Sequence, residues 1–276
     1  MLTYKDDKAL GSIKLVATDM DATLLADDKS MPPNIHELIS SLNDAGITFC
    51  AASGRPLLTL KDVFANELAH MALISDNGAA IAVAGEVVHT SLIPHRTYLD
   101  LLETTEKLGG IPVAISLEGV YLRSCDRCYD KAFSEYFFHR IYVDDLSVID
   151  AHVNKFTIYL PNLDSAKAYA STFGPAFADD FSVTCAGSEW IDIMNKGVDK
   201  GSAVRWLCEH LGVDIADAAT FGDTDNDTEM LEAAGHGFIM QNAEERMRVH
   251  ANYMAPANNE RGVATVIEAI LAARQH

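Results

Sequence analysis

The sequence predicts an α/β protein with a doubly wound, mostly parallel sheet and a second, α+β domain inserted into it. Strand and helix patterns alternate at both ends of the chain, which is typical of parallel sheets. Between residues 91 and 187 the pattern changes to short paired strands among helices. We therefore expect a Rossmann-like core made of residues 1–90 and 188–276, with an inserted cap domain at 91–187.

The first segment contains three apolar runs that predict core strands. Residues 13–19 and 47–52 are apolar and bounded by turn signals, and 71–75 is a similar run. Apolar side chains at helical spacing from Ile35 to Leu42, followed by Gly46, predict the first helix. A second helix is predicted at 57–69 and a hairpin over 80–90.

The middle and final segments differ in their expected elements. The middle one predicts helices at 96–108, 130–140 and 164–173, hairpins at 113–124 and 181–194, and a lone strand at 155–161. The final one returns to alternation of strands and helices. Strands are predicted at 218–222 and 237–240, and helices at 200–211, 226–234, 243–249 and 260–273.

The composition excludes several classes of function. A net charge of -19 repels nucleic acid and anionic membranes, because both require a basic surface. No apolar run approaches the roughly 20 residues that span a bilayer, and the polar start lacks a signal-peptide core. Five widely spaced cysteines argue against a disulfide framework. We expect a cytoplasmic protein, monomeric or weakly homodimeric.

The most informative motif is a pair of acids that ends the first core strand. Asp19 and Asp21 lie one residue apart, with Thr23 two residues further on. Residues i and i+2 of a strand share a side, at the end where open α/β sheets bind ligands. Two carboxylates so close require a cation, a proton or a phosphoryl reaction. Taken alone, the motif is also compatible with an acidic loop without function.

Two further motifs supply groups that suit an anion. Ser53, Gly54 and Arg55 follow the second strand and offer a hydroxyl, an approachable backbone and a cation. An ordinary strand-to-helix turn is the alternative. Lys200 lies at a predicted helix start, where anions are favoured. A solvated surface lysine is the alternative there, and Lys196 is a competing choice.

The fourth motif, GDTDND at 222–227, follows the strand at 218–222. Its three acids and an asparagine suggest a hard cation with oxygen ligands. A calcium EF-hand loop does not fit, because Thr228 and Ala234 stand where that loop needs glycine and glutamate. The candidate residues are Asp223, Asn226 and Asp227.

Together, in this order, the four motifs resemble those of the haloacid dehalogenase-like phosphohydrolases, and most of all the Cof-type subfamily with its large inserted cap. The resemblance covers about residues 13–273. It includes the phrases SDNGA (75–79), GVDKGSAV (197–204), GDTDNDTEML (222–231), MQNAEERM (240–247) and ERGVATVI (260–267).

The resemblance implies a magnesium-dependent phosphatase of small phosphorylated metabolites, such as sugar phosphates or phosphorylated cofactors. Asp19 would be the nucleophile that forms an aspartyl-phosphate, and Asp21 the general acid and then base. Mg²⁺ would be held by Asp19, the backbone carbonyl of Asp21 and Asp223. Thr23 would support these groups without contacting the substrate.

The remaining roles concern the phosphoryl group. The resemblance implies that Ser53 and the backbone N–H groups of Met20 and Gly54 hold its oxygens. Lys200 would neutralise the charge of the transition state, oriented by Asp227. Asn226 would be a further phosphate contact.

Some alternatives stay open. A phosphomutase or a non-catalytic phosphometabolite-binding module could share the fold. Ala22 is the one departure from the family pattern, which usually has glycine there, and it is the only support for a binding module. Arg123, Arg127 and His139 of the insert could reach a ligand, although a solvated surface position is the simpler expectation for each.

Overall fold

A computed structural model describes residues 1–161 and 164–274 and arranges their strands in two separate sheets. The strands are β1 (Leu2–Thr3), β2 (Leu15–Thr18), β3 (Thr48–Ala52), β4 (Met71–Ser75), β5 (Ala80–Val83), β6 (Glu86–Thr90), β7 (Ile111–Ser116), β8 (Val120–Arg123), β9 (Arg140–Val143), β10 (Val153–Tyr159), β11 (Phe181–Cys185), β12 (Trp190–Asn195), β13 (Ala218–Gly222), β14 (His236–Met240) and β15 (Tyr253–Ala255).

The α-helices cover the large sheet and pack beside the small one. They are α1 (Ile35–Asp44), α2 (Leu57–Val63), α3 (His95–Lys107), α4 (Asp130–Ser134), α5 (Ser165–Ala168), α6 (Gly174–Phe177), α7 (Lys200–Leu211), α8 (Thr228–Ala233) and α9 (Gly262–Ala273). Within the described residues, no helix is both long and apolar enough to cross a membrane.

The large sheet has the order β1-β15-β14-β13-β2-β3-β4-β5-β6. Neighbouring strands from β1 to β4 are parallel, and β5 and β6 add an antiparallel hairpin at one edge. The chain runs outward on one side through β3 and β4 and on the other through β14 and β15. The order therefore reverses between β2 and β13, where doubly wound sheets bind ligands. This confirms the predicted fold class.

Both faces of the large sheet are buried, which explains its continuous apolar strands. Leu15 and Val16 are adjacent in β2 but pack into different hydrophobic clusters, because successive side chains point to opposite faces. Helices α1 and α9 cover the face of Val16, and α7 covers the face of Leu15. The two helix layers hold β2 rigidly, so the residues that follow it start from a fixed position.

The small sheet lies within the insert and has the order β11-β12-β10-β7-β8-β9. Its pairs are antiparallel except for β8 with β9. Both predicted hairpins form, β7 with β8 and β11 with β12. Strand β12 continues this sheet beyond residue 187, so we propose that the insert ends after Asn195 instead. The other domain limits remain predictions.

Four predicted elements differ from the structure. The helix expected over 57–69 ends at Val63. The helix expected over 130–140 ends at Ser134, and strand β9, which pairs with β8, begins at Arg140. The strand expected to stand alone, β10, is paired on both sides and all its residues are buried. Residues 245–250 form a 3₁₀ helix where an α-helix was expected. Where a helix ends and which strands a segment pairs with depend on tertiary packing, which local residue spacing does not show.

Candidate active site

The ends of three neighbouring strands bring predicted site residues together. Asp19 follows β2, Ser53 follows β3 and Asp223 follows β13. All three side chains are buried, although each begins a loop. Parallel pairing puts the carboxyl ends of these strands at one edge, which is why residues about 200 positions apart meet there.

Lys200 enters this site from the start of helix α7. Its side chain is completely buried, and its Nζ donates to Asp19 Oδ1 at 2.6 Å and to Asp227 Oδ1 at 2.7 Å. Asp199 caps the helix and fixes where Lys200 begins it. The competing Lys196 instead donates to the backbone carbonyl of Ala178 in the insert, outside this cluster.

The GDTDND loop is organised around Asp227. Its Oδ2 accepts hydrogen bonds from the backbone N–H groups of Asp223 (2.9 Å) and Thr224 (3.2 Å), while Oδ1 accepts from Lys200. A Cβ at Gly222 would lie 2.4 Å from Cβ of Asp227, so only glycine fits there. Asp227 thus uses both oxygens to hold the loop and the lysine in place.

The third acid, Asp223, is oriented by the first strand's loop. Thr23 Oγ1 donates to Asp223 Oδ1 at 2.8 Å. Asp19 and Asp223 each accept a hydrogen bond on one oxygen, which leaves lone pairs on both carboxylates for a cation. Carboxylate oxygens of Asp19, Asp223 and Asp227 lie within 4.8 Å of one another. The described residues thus contain a buried cluster that could bind a metal ion.

The cluster has a surplus of formal negative charge, because three acids surround one lysine. Burial raises the pKa of Asp19 well above its ordinary value, although Lys200 opposes the shift. Burial and the neighbouring Asp227 raise the pKa of Asp223 to about 7. Burial acts to lower the pKa of Lys200, but Asp19 and Asp227 outweigh it and raise that pKa above its usual range. One lysine does not neutralise three acids, so a further cation fits the site.

Asp21 is placed at the edge of the cavity and outside the buried cluster. Arg55 binds its carboxylate with two hydrogen bonds, Nε to Oδ2 at 3.0 Å and Nη2 to Oδ1 at 2.8 Å. Lys29 Nζ also donates to Oδ1 at 2.8 Å. Burial would raise the pKa of Asp21, but hydrogen bonds and charge from Arg55 and Lys29 lower it below its ordinary value. Asp21 is therefore ionised and paired in this structure.

The residue that departs from the family pattern, Ala22, directly follows Asp21. Ala22 has φ 58° and ψ 9°, in the left-handed region that favours glycine. Its carbonyl oxygen accepts a hydrogen bond from Asn242 Nδ2 at 2.8 Å. The backbone conformation costs alanine roughly 1 kcal/mol, and this is strain that the surrounding loop maintains.

The predicted phosphate contacts lie around the same opening. Ser53 Oγ accepts a 3.2 Å hydrogen bond from the backbone N–H of Arg55, and a Cβ at Gly54 would lie 3.0 Å from Asn77 Oδ1. Asn226 Nδ2 donates to the same Asn77 oxygen at 3.2 Å. Met20 packs its side chain in the core, leaving only its backbone to face the site.

Sequence reasoning missed a group of residues that joins the insert to this loop. Lys155 Nζ donates to the Gly54 carbonyl at 2.6 Å and to Asp192 Oδ2 at 2.7 Å. The same Asp192 oxygen accepts from Asn77 Nδ2 at 2.8 Å, and Thr157 donates to Oδ1 at 2.6 Å. The signal was a charged residue within each of two apolar strands, which burial permits only when the charges are paired.

A cavity of about 530 Å³ lies between the two sheets, and Lys155, Thr157 and Asp192 line it. Asp19, Ser53 and Asp223 line its core end, and Tyr136 and Trp190 line its insert end. This volume is typical of small-molecule sites.

The three insert residues suggested as ligand contacts each have a partner in the described part of the chain. Arg123 pairs with Asp126 and Glu106, His139 pairs with Asp62, and Arg127 lies over the ring of Tyr142. Reaching a ligand would require these side chains to leave those partners.

Comparisons with known proteins find relatives over most of the chain. Residues 16–267 match the family model described as haloacid dehalogenase-like hydrolase. The chain is 29% identical to the 5-amino-6-(5-phospho-D-ribitylamino)uracil phosphatase of Escherichia coli, over 94% of this chain and 97% of that protein. It is 30% identical to the HMP-PP phosphatase of an Enterobacter species, over 83% of this chain and 85% of that protein.

Solved structures show the same fold over nearly the whole chain. A Streptococcus mutans protein superposes with a TM-score of 0.86 at 26% identity, covering 94% of this chain and 99% of that one. A Thermotoga maritima protein superposes with a TM-score of 0.78 at 25% identity, covering 93% and 97%.

Proposed function

This chain belongs to the haloacid dehalogenase-like hydrolases as a phosphatase of small phosphorylated metabolites, and we propose that it hydrolyses phosphate monoesters with Mg²⁺ through an aspartyl-phosphate. The observation that carries the proposal is the buried cluster in which Lys200 bridges Asp19 and Asp227 beside Asp223. The substrate classes proposed are sugar phosphates and phosphorylated cofactors.

Asp19 is proposed as the nucleophile. Lys200 holds Oδ1 at 2.6 Å, so Oδ2 remains for attack on phosphorus. A bond forms between Oδ2 and phosphorus while the ester P–O bond breaks, and the leaving alkoxide receives a proton from Asp21. In the second step, Asp21 removes a proton from water, and the water oxygen attacks phosphorus while the bond between phosphorus and Asp19 Oδ2 breaks, so that inorganic phosphate leaves. Asp19 is then regenerated.

The proton-transfer role requires Asp21 to leave its present ion pairs. In the structure, Arg55 and Lys29 keep its pKa low, which suits a base and not an acid. A phosphate dianion in the cavity would compete with Asp21 for both cations. We propose that substrate binding weakens these pairs and thereby raises the pKa of Asp21 towards the value an acid catalyst needs.

The donor set fits Mg²⁺, which prefers oxygen ligands and keeps several waters. Asp19 and Asp223 would hold it through carboxylate oxygens and Asp21 through its backbone carbonyl. Asp227 is not proposed as a ligand, because Lys200 and two backbone N–H groups use both its oxygens. When bound, the ion screens the repulsion between the carboxylates and the phosphate dianion.

The phosphoryl oxygens are proposed to bind Ser53, Asn226, Lys200 and the backbone N–H groups of Met20 and Gly54. Ser53 is buried beside the Asp19 end of the cavity, and its Oγ can donate to an anion while it accepts from Arg55. Lys200 adds a fixed positive charge whose position is set by Asp227.

The test measures hydrolysis of p-nitrophenyl phosphate and glucose 6-phosphate, with Mg²⁺ and with EDTA. We expect turnover that EDTA abolishes and Mg²⁺ restores. Asp19→Asn should remove activity by on the order of 10³-fold or more. Asp44→Asn, an exposed acid at the end of α1, is the matched control and should retain activity.

The alternatives predict other results. A binding module would bind phosphate esters without turnover, and a phosphomutase would return an isomeric ester in place of inorganic phosphate. Retained hydrolysis in Asp19→Asn would contradict the nucleophile assignment.

A further inference from the structure

The insert supplies an aromatic wall to the cavity, opposite the phosphate end. Tyr136, Phe137 and Trp190 all line the cavity that also contains Asp19 and Ser53. Tyr136 is half-buried, whereas Phe137 and Trp190 are buried. A molecule whose phosphate binds at Asp19 would extend its leaving group towards these rings.

The wall is rigid because its rings support one another. The ring of Trp190 lies 5.7 Å from that of Tyr136, 5.5 Å from Phe137 and 4.5 Å from Tyr159, measured between centroids. Its contacts with Tyr136 and Phe137 are edge-to-face. A flat ligand surface would therefore meet aromatic side chains that lose little conformational entropy on binding.

The charged side chains of the cavity do not offer a site for a second anion. Among the described lining residues, each basic side chain already has an acidic partner; these pairs are Lys29 and Arg55 with Asp21, Lys155 with Asp192, and Arg246 with Asp225 and Glu244. Acids outnumber bases, six to four, in the described lining. A leaving group with its own negative charge would meet repulsion there.

We propose that the cavity selects phosphate monoesters whose leaving group carries an uncharged, planar ring, bound against Tyr136, Phe137 and Trp190. The cavity volume of about 530 Å³ accommodates a phosphate and a ring of that kind. The inference rests on the proposed function, because the phosphate end at Asp19 defines where the leaving group lies. It narrows the substrate class and assigns the specificity to the insert.

The test compares the binding of benzylphosphonate and cyclohexylmethylphosphonate to the full-length protein with Mg²⁺, measured by calorimetry. The two probes have the same phosphonate and the same number of ring carbons, and differ in the planarity of the ring. We expect benzylphosphonate to bind about threefold to tenfold more tightly, the range for an aromatic pair. A 4-carboxybenzylphosphonate should lose affinity relative to benzylphosphonate.

Tyr136→Leu is the informative variant, and Phe138→Leu is its matched control. Phe138 is an aromatic residue of the same segment, 47% exposed and outside the cavity lining. We expect Tyr136→Leu to reduce the preference for the planar ring and Phe138→Leu to keep it. The wild-type comparison requires no variant, so it decides the proposal even where Tyr136→Leu fails to fold.

The failure of this inference is separable from the failure of the proposed function. Equal or weaker binding of benzylphosphonate would overturn the ring selectivity, whether or not glucose 6-phosphate and p-nitrophenyl phosphate are hydrolysed. A planar-ring preference without any turnover would support the aromatic wall and overturn the hydrolysis proposed above.

Discussion

Two buried lysines, Lys200 in the core and Lys155 in the insert, reach the same region from opposite sides. Lys200 bridges Asp19 and Asp227, with Asp223 nearby, and this cluster retains surplus negative charge. Lys155 faces the single carboxylate of Asp192 and the Gly54 carbonyl.

The two clusters differ in how completely their charges are balanced. Asn77 and Thr157 also donate to Asp192, so the insert pair is neutral and well hydrogen-bonded. A balanced pair positions its neighbours, whereas an unbalanced one can take up a cation and react. Burial alone therefore does not identify the reactive site, since both lysines are buried.

The largest expected effect comes from removing the core lysine. Lys200→Met should lower kcat about 10²- to 10³-fold, because the charge that stabilises the transition state is lost. It should also destabilise the fold by about 3–5 kcal/mol, since buried acids lose their partner. Steady-state kinetics and urea unfolding would measure both. If Lys200→Met left kcat unchanged at saturating Mg²⁺, the core cluster would not be the reactive one.

The pair of Lys155 and Asp192 in the insert should respond differently from Lys200. Lys155→Met alone should cost about 3–5 kcal/mol of stability, because Asp192 is left as an unpaired buried charge. The double variant Lys155→Met with Asp192→Leu should recover most of that loss, since replacing both partners of a buried pair is often nearly neutral. Urea unfolding of the single and double variants measures this.

The activity of that double variant tests whether the insert pair also positions groups at the site. We expect it to stay about tenfold below wild type, because the Gly54 carbonyl and Asn77 lose the groups that position them. Full activity in the stable double variant would show that the insert pair serves folding alone.

A third contact between core and insert should depend on pH. Asp76 is buried, its Oδ2 accepts from Asn154 of the insert at 2.8 Å, and burial raises its pKa to about 6. Below pH 4 the carboxyl is protonated whether the chain is folded or unfolded. Between about pH 4 and 6 the folded state binds the extra proton, so stability falls as pH rises through this window.

Asp76→Asn should remove that dependence. We expect the variant to gain about 1–3 kcal/mol relative to wild type at pH 7.5 and to differ less at pH 4. Thermal unfolding at both values, in the same buffer ions, would measure it. An equal difference at both pH values would exclude the buried charge as the cause.

The smallest expected effect concerns the strained backbone at Ala22, directly after Asp21. Ala22→Gly should stabilise the protein by up to about 0.6 kcal/mol, because the left-handed strain of roughly 1 kcal/mol is relieved while glycine adds about 0.4–1 kcal/mol of flexibility to the unfolded chain. Unfolding curves are the measurement, and Ala45→Gly at the end of α1, where φ is -82°, is the control that should not stabilise. A loss of stability in Ala22→Gly would show that the loop tolerates alanine without strain.

Much of the core could be predicted because its signals are local. The apolar strands and the residues that follow them lie within short stretches, and parallel pairing then fixes their meeting point. The helix expected at 130–140 was wrong beyond Ser134, because helical spacing does not show where packing in the folded insert ends a helix. The residues Lys155 and Asp192 were missed because their partners lie far away in the chain.

The sequence alone was enough to predict the fold class, the order of the motifs and the types of residue at the core end of the cavity. These depend on local patterns of apolar and charged residues, which follow from the periodicity of strands and helices. Only the tertiary structure decided that Asp21 is paired with Arg55 and Lys29, that Ala22 is left-handed and that Lys155 reaches Gly54. The reason is physical, since charge balance and backbone strain depend on which distant groups are brought within a few ångströms.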